Sequence, residues 1–162
     1  MKRLACLLIG AAALFIAAAA ETEEVISLDL ERFELWNDCA PMDLIIEDLP
    51  DAAIEIGLKK EAIETTVRSR LRAARLFDAG KSQYLYVNVT MTELAFNISF
   101  EYKKVLYDPA SERHGFAITW GWNGTGTHGS DSGFILSAVS QYTDKFIDEY
   151  LRVNEDACSR SP

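Results

Sequence analysis

The hydrophobic positions of this 162-residue chain follow two periods, one of two residues and one near 3.6. Residues 25–35 alternate in two registers, Ile26/Leu28/Leu30 and then Phe33/Leu35, which predicts an extended lead-in over 21–41. Met42, Leu44 and Ile46 share one face of a strand over 42–49, and Pro50-Asp51 breaks it. Ile63, Val67, Leu71, Ala74 and Phe77 recur at helical spacing over 59–77, and Asp78-Ala79-Gly80 closes that helix. Residues 84–91 then alternate on Leu85, Val87, Val89 and Met91. The apolar parity flips to Leu94, Phe96, Ile98, Phe100 and Tyr102, which places a hairpin turn near 92–94. A second turn falls over 107–115. Beyond it Phe116, Ile118, Trp120 and Trp122 are predicted on one face of another strand. After a glycine-rich loop, Ile135, Ala138, Val139, Tyr142, Phe146, Tyr150 and Val153 form the stripe of a second amphipathic helix.

The order strand, helix, three-strand meander, helix predicts an α+β fold. Two helices cover one face of a mainly antiparallel four-stranded sheet. The single domain is expected over 42–158, with 159–162 as a tail. The other sheet face carries Asn88, Thr90, Asn97, Ser99, Glu101 and Lys103, the polar alternation of a surface that meets water and that a partner could use.

The first twenty residues change the picture of where the fold starts. Met1-Lys2-Arg3, an apolar run over 4–20 and the Ala18-Ala19-Ala20 end make a secretory leader with cleavage near Ala20. Retention of the run as a membrane anchor is the rival, weakened by its alanine content and by small residues where cleavage needs them. Nearly all of the apolar run follows Cys6, whereas a lipoprotein cysteine comes after its hydrophobic region, so Cys6 is not one. Cleavage leaves a periplasmic or secreted domain, and membrane contact only through the leader if it is uncleaved. It removes Lys2 and Arg3 and no acid, so the net charge of −9 becomes −11. That acidity argues against nucleic acid, whose phosphates need a basic footprint. It leaves Cys39 and Cys158, a pair predicted to bridge in an oxidising compartment. By chain entropy, closing so long a loop contributes up to about 4–5 kcal/mol.

The most suggestive motif is the segment Gly124, Thr125, Gly126, Thr127, His128, Gly129, a G-x-G-x-x-G between a strand and a helix. Its setting at the end of an antiparallel meander, with no strand after the helix, is not that of a dinucleotide site, and no cofactor is expected. A weaker reading keeps the loop amides with Thr125, Thr127, His128 and Ser130 as a binder of a small anion or ligand. His128 beside Asp131 is either an acid–base pair on the same loop or, on the reading the sequence favours, a surface histidine in a glycine loop. Neither His128 nor His114 stands in metal-ligand spacing, so no metal is expected.

Arg68, Arg72 and Arg75 share the polar face of the first helix. They form a salt-bridged surface with Glu61 and Glu64 or a docking patch for an acidic partner. Arg70 falls inside the apolar stripe, and Glu149 falls inside the stripe of the second helix. Charges placed there need a partner or a path to water, so the expectation is an Arg70–Glu149 pair between the helices, with snorkelling of both side chains as the alternative. Sequons at Asn88, Asn97 and Asn123 are expected to be unmodified.

The stretches Arg68-Ser-Arg-Leu-Arg-Ala-Ala-Arg-Leu76 and Tyr150-Leu-Arg-Val-Asn154, with Gly126-Thr-His-Gly129 between them, resemble uncharacterised exported proteins of Gram-negative bacteria. In element order the chain is similar to small envelope domains such as the TolB amino-terminal domain. The likeness implies a periplasmic address and no particular activity. The expected function is therefore a non-enzymatic domain that binds an envelope protein partner or assists assembly there. The alternative is a small hydrolase or ligand binder built on His128 and the glycine loop.

Overall fold

A computed structural model describes residues 30–160. The leader with Cys6, residues 21–29 and residues 161–162 lie outside the described residues. The chain divides into two units, Met1–Glu34 and Leu35–Pro162. The described part of the first, residues 30–34, is helical where an extended lead-in was predicted. The step of three from Leu30 to Phe33, which looked like a change of register, is helical spacing.

The second unit is α+β. Its elements are β1 (Asp43–Ile46), α1 (Asp51–Glu55), α2 (Lys60–Ala73), β2 (Tyr84–Met91), β3 (Ala95–Asp108), β4 (Arg113–Thr127), α3 (Ser132–Val153) and α4 (Glu155–Cys158). The four strands form one mixed sheet in the order β1-β2-β3-β4. β1 runs parallel to β2, from which α1 and α2 separate it in sequence, whereas β2–β3 and β3–β4 are antiparallel. The parity flip after Met91 is the predicted turn, closed by the Thr92 N–H donating to the Ala95 carbonyl at 2.8 Å.

One face of the sheet builds the core. Leu44 and Ile46, Leu85, Val87 and Val89, and Phe96, Ile98, Phe100 and Tyr102 are buried against Ile63, Val67 and Leu71 of α2 and Ile135, Val139, Phe146 and Tyr150 of α3. Aromatic rings join the layers: Phe100 meets Tyr142 edge-on at 6.2 Å, and Trp120 meets Phe146 at 5.1 Å.

α2 ends at Ala73, earlier than the predicted 77, because the chain turns in a Schellman motif. Leu76 N–H reaches the Leu71 carbonyl at 2.8 Å and Arg75 N–H the Arg72 carbonyl at 3.0 Å, with Arg75 left-handed at φ 60°. Phe77 then bridges to Met42. α3 starts sharply, since the Asp131 carboxylate accepts the Gly133 and Phe134 N–H groups.

Residues 35–41, predicted as lead-in, are tied into this unit. Cys39 and Cys158 form a disulfide with Cα atoms 5.1 Å apart. Beside it the buried Asn154 side chain accepts the N–H groups of Asn37 (3.0 Å) and Cys39 (3.2 Å) and donates to the carbonyls of Leu35 (3.0 Å) and Tyr150 (2.9 Å). Asn37 donates in turn to the Tyr102 hydroxyl at 2.7 Å and accepts from the Tyr150 hydroxyl. Burial pushes both of these tyrosines well above the ordinary phenol range.

Candidate docking surface

The glycine motif is not a loop. Gly124, Thr125, Gly126 and Thr127 are the last four residues of β4, paired with Ile98, Asn97, Phe96 and Ala95 of β3. Their glycines answer to close packing: a Cβ on Gly124 would lie 2.6 Å from Tyr142 Cζ, and one on Gly126 3.0 Å from the Phe96 ring. Thr125 faces the opposite side of the sheet, where its hydroxyl meets Asn97 Nδ2 at 3.0 Å.

His128 is buried, with both ring nitrogens engaged by backbone. Nδ1 accepts the Ser130 N–H at 3.0 Å, so Nε2 carries the hydrogen toward the Thr92 carbonyl at 3.1 Å. Gly129 and Ser130 are both left-handed, at φ 52° and 60°, and turn the chain into α3. Asp131 caps that helix. The threonine hydroxyls, His128 and Asp131 therefore do not converge on one site. Among the described residues, no group of three or more His, Cys, Asp or Glu side chains could hold a metal ion.

Arg70 does not pair with Glu149. Its guanidinium meets Asp144 at 2.6 Å and the Ser140 hydroxyl. Asp144 lies five residues before Glu149, about 7.5 Å along the axis of α3, so the register between the helices decides the partner. Glu149 instead accepts the Trp120 indole N–H at 2.8 Å and lies 3.7 Å from Lys145. In the arginine cluster, Arg68 pairs with Glu64, and the guanidinium groups of Arg68 and Arg72 stack over Phe77 at 5.4 and 5.1 Å. Arg75 lies beyond the helix end and is not part of its polar face.

A surface the sequence did not define is created by a bulge. Tyr102 pairs with Trp120 and Lys103 with Ile118, leaving Thr119 as an extra residue in β4. The predicted common face of Phe116, Ile118, Trp120 and Trp122 is therefore split. Trp120 and Trp122 point toward α3, Trp122 under Lys145 with the ammonium 3.1 Å from its ring centroid. Phe116 and Ile118 point to the face away from the helices, 61% and 57% exposed.

On that outer face two halves can be distinguished. Toward the turn at 92–94 lie two cross-strand rows of uncharged polar side chains, Asn88/Ser99/Asn123 and Thr90/Asn97/Thr125. Toward the other end lie Ile45, Tyr84, Tyr86, Val105, Phe116 and Ile118. The Tyr84 and Phe116 rings meet edge-on at 5.3 Å. Lys103 lies 4.0 Å from the Tyr86 ring centroid and pairs with Glu101 at 3.1 Å. The Tyr86 hydroxyl donates to Glu47, and this bond together with the carboxylate charge pushes the phenol up to about 12.

β2 begins at Tyr84, opposite Lys103, so β3 and β4 continue past it as a two-stranded arm. Tyr107 and His114 lie near its end on the same face, with rings 5.1 Å apart. Asp108 fastens the tip by accepting from the Ser111 hydroxyl and the Ala110 N–H, which hold its carboxyl below the usual range.

No family model, curated protein or solved structure matches the chain.

Proposed function

We propose that the chain is an exported, non-enzymatic binding domain that docks an envelope protein through the aromatic half of its outer sheet face. The observation that carries this reading is the exposure of Phe116 and Ile118, beside Val105 and Tyr84, on the sheet face the helices leave uncovered. Exposed aromatic and aliphatic side chains gathered around the Lys103–Glu101 pair, with neutral polar rows on one side and the acidic Asp43 and Glu47 on another, have the composition of an interface core with a polar rim. The Cys39–Cys158 bridge supports an oxidising address, as the leader pattern does. The reading built on the glycine motif and His128 loses its support, because those groups are engaged in the sheet ladder, the helix packing and the turn.

The test is photo-crosslinking in cells, with a photoreactive residue at Phe116 or Ile118 and a control at Glu61 on the helix layer. The expected result is a discrete adduct with another envelope protein from the sheet positions and none from the control. Equal labelling from both layers, or no adduct from Phe116 and Ile118, overturns the reading.

A further inference from the structure

The solvent side of α2 carries a pocket of about 310 Å³ lined by Thr65, Arg68, Ser69 and Arg72. Their spacing of i, i+3, i+4 and i+7 puts them on one stripe, about 10 Å long, away from Ile63, Val67 and Leu71 on the core side. The lining holds two cations, two hydroxyls and no carboxylate, in a chain with 25 acidic and 16 basic residues.

Both guanidinium groups are ordered, and neither is saturated. They lie over the Phe77 ring, 5.4 and 5.1 Å from its centroid, so these long side chains have less freedom left to lose on gripping a ligand. Other cations of this chain meet carboxylates: Lys60 meets Asp48, Arg70 meets Asp144 and Lys81 meets Asp78. Arg72 forms no ion pair among the described residues. Arg68 donates to Glu64 through Nη2, while its Nε is buried with no hydrogen-bond partner. A carboxylate that faces a guanidinium squarely takes two N–H groups, so Glu64 leaves Arg68 under-bonded. Ser69 Oγ donates to the Thr66 carbonyl at 3.1 Å, which leaves its lone pairs outward, and the Thr65 side chain is exposed.

We propose that this stripe binds a phosphate group, free or as the monoester of a small molecule. A phosphate brings up to two charges and at least three acceptor oxygens, enough to meet both guanidinium groups and the Thr65 hydroxyl together. A monocarboxylate adds less, because Arg68 already holds one in Glu64. Glu64, and Glu61 one turn before Thr65, bound the patch and keep the affinity modest. The sheet face takes no part, so failure of the docking reading leaves this site untouched.

The experiment titrates the purified protein with inorganic phosphate and, separately, with glycerol 3-phosphate, near neutral pH and at constant ionic strength made up with chloride. Amide and arginine Nε–H signals in proton–nitrogen correlation spectra read the site. The expected result is saturable shifts centred on Thr65, Arg68, Ser69 and Arg72, with a Kd of about 1–10 mM. Tighter binding of the ester names a phosphorylated small molecule as the source, and tighter binding of inorganic phosphate names the free ion. Arg72→Gln should weaken binding about tenfold, and Glu64→Gln, which removes the competing carboxylate, should tighten it about threefold. A circular dichroism melt shows whether each variant is folded, and the titration of the unmodified protein stands if one is not. No saturable shift up to about 50 mM phosphate overturns the proposal. So do equal shifts with acetate, or binding that both substitutions leave unchanged.

Discussion

Gly124 lies directly beneath Tyr142, so the helix can keep its tyrosine in place only while position 124 carries no side chain. Gly124→Ala should cost about 1–3 kcal/mol, because Tyr142 must leave its place between Phe100 and Trp122. In a Tyr142→Ala background the same substitution should cost much less. A double-mutant cycle by urea denaturation reads the coupling, and additive losses would refute the packing account.

Asn154 is the polar centre that fastens residues 35–40 to the end of α3. Asn154→Ala removes the acceptor of two N–H groups and the donors to two carbonyls, and is expected to destabilise the oxidised protein by about 2–4 kcal/mol. Asn154→Asp keeps the acceptors but loses the donors, so it should not restore stability. Chemical denaturation with the disulfide intact measures both.

Arg75 occupies the position of a Schellman turn that glycine fills without strain. Arg75→Gly should stabilise the fold by about 0.5–1 kcal/mol, whereas Arg75→Ala should not, since alanine keeps the left-handed penalty. Comparing their melts separates backbone relief from loss of the guanidinium.

Alkaline titration tests the Tyr86–Glu47 contact. The folded phenol titrates near 12, above its ordinary value of 10, so the native state holds this proton more tightly than the unfolded chain. The stabilisation is complete below pH 10 and is lost as pH rises from 10 toward 12. Glu47→Gln should bring the Tyr86 step down toward 10 in a tyrosinate absorbance titration, with Tyr86→Phe identifying that step. An unmoved step would remove Glu47 as the cause.

What could be read in the sequence was what periodicity and counting carry. Leu85/Val87/Val89 against Phe96/Ile98/Phe100 gave the central hairpin. The stripe from Ile135 to Tyr150 gave the long helix, and an even cysteine pair gave the disulfide. What escaped depends on register in three dimensions. The bulge at Thr119 leaves Phe116, Ile118, Trp120 and Trp122 evenly spaced in sequence while turning them to opposite faces. Arg70 and Glu149 each look misplaced on a helical wheel, yet a wheel holds no information on how far one helix is displaced along its neighbour. The G-x-G-x-x-G spacing was real, but Tyr142 and Phe96, distant in sequence, supply its cause.

The clasp between Cys39 and Cys158 also sets how this domain would carry load. With the bridge closed, a pull applied at its two ends passes through one covalent bond between atoms already side by side, and the four strands and the α2–α3 layer are left outside the line of force. Reduced, the same pull would run the length of the chain and open the sheet. Oxidation thus separates being held from being unfolded.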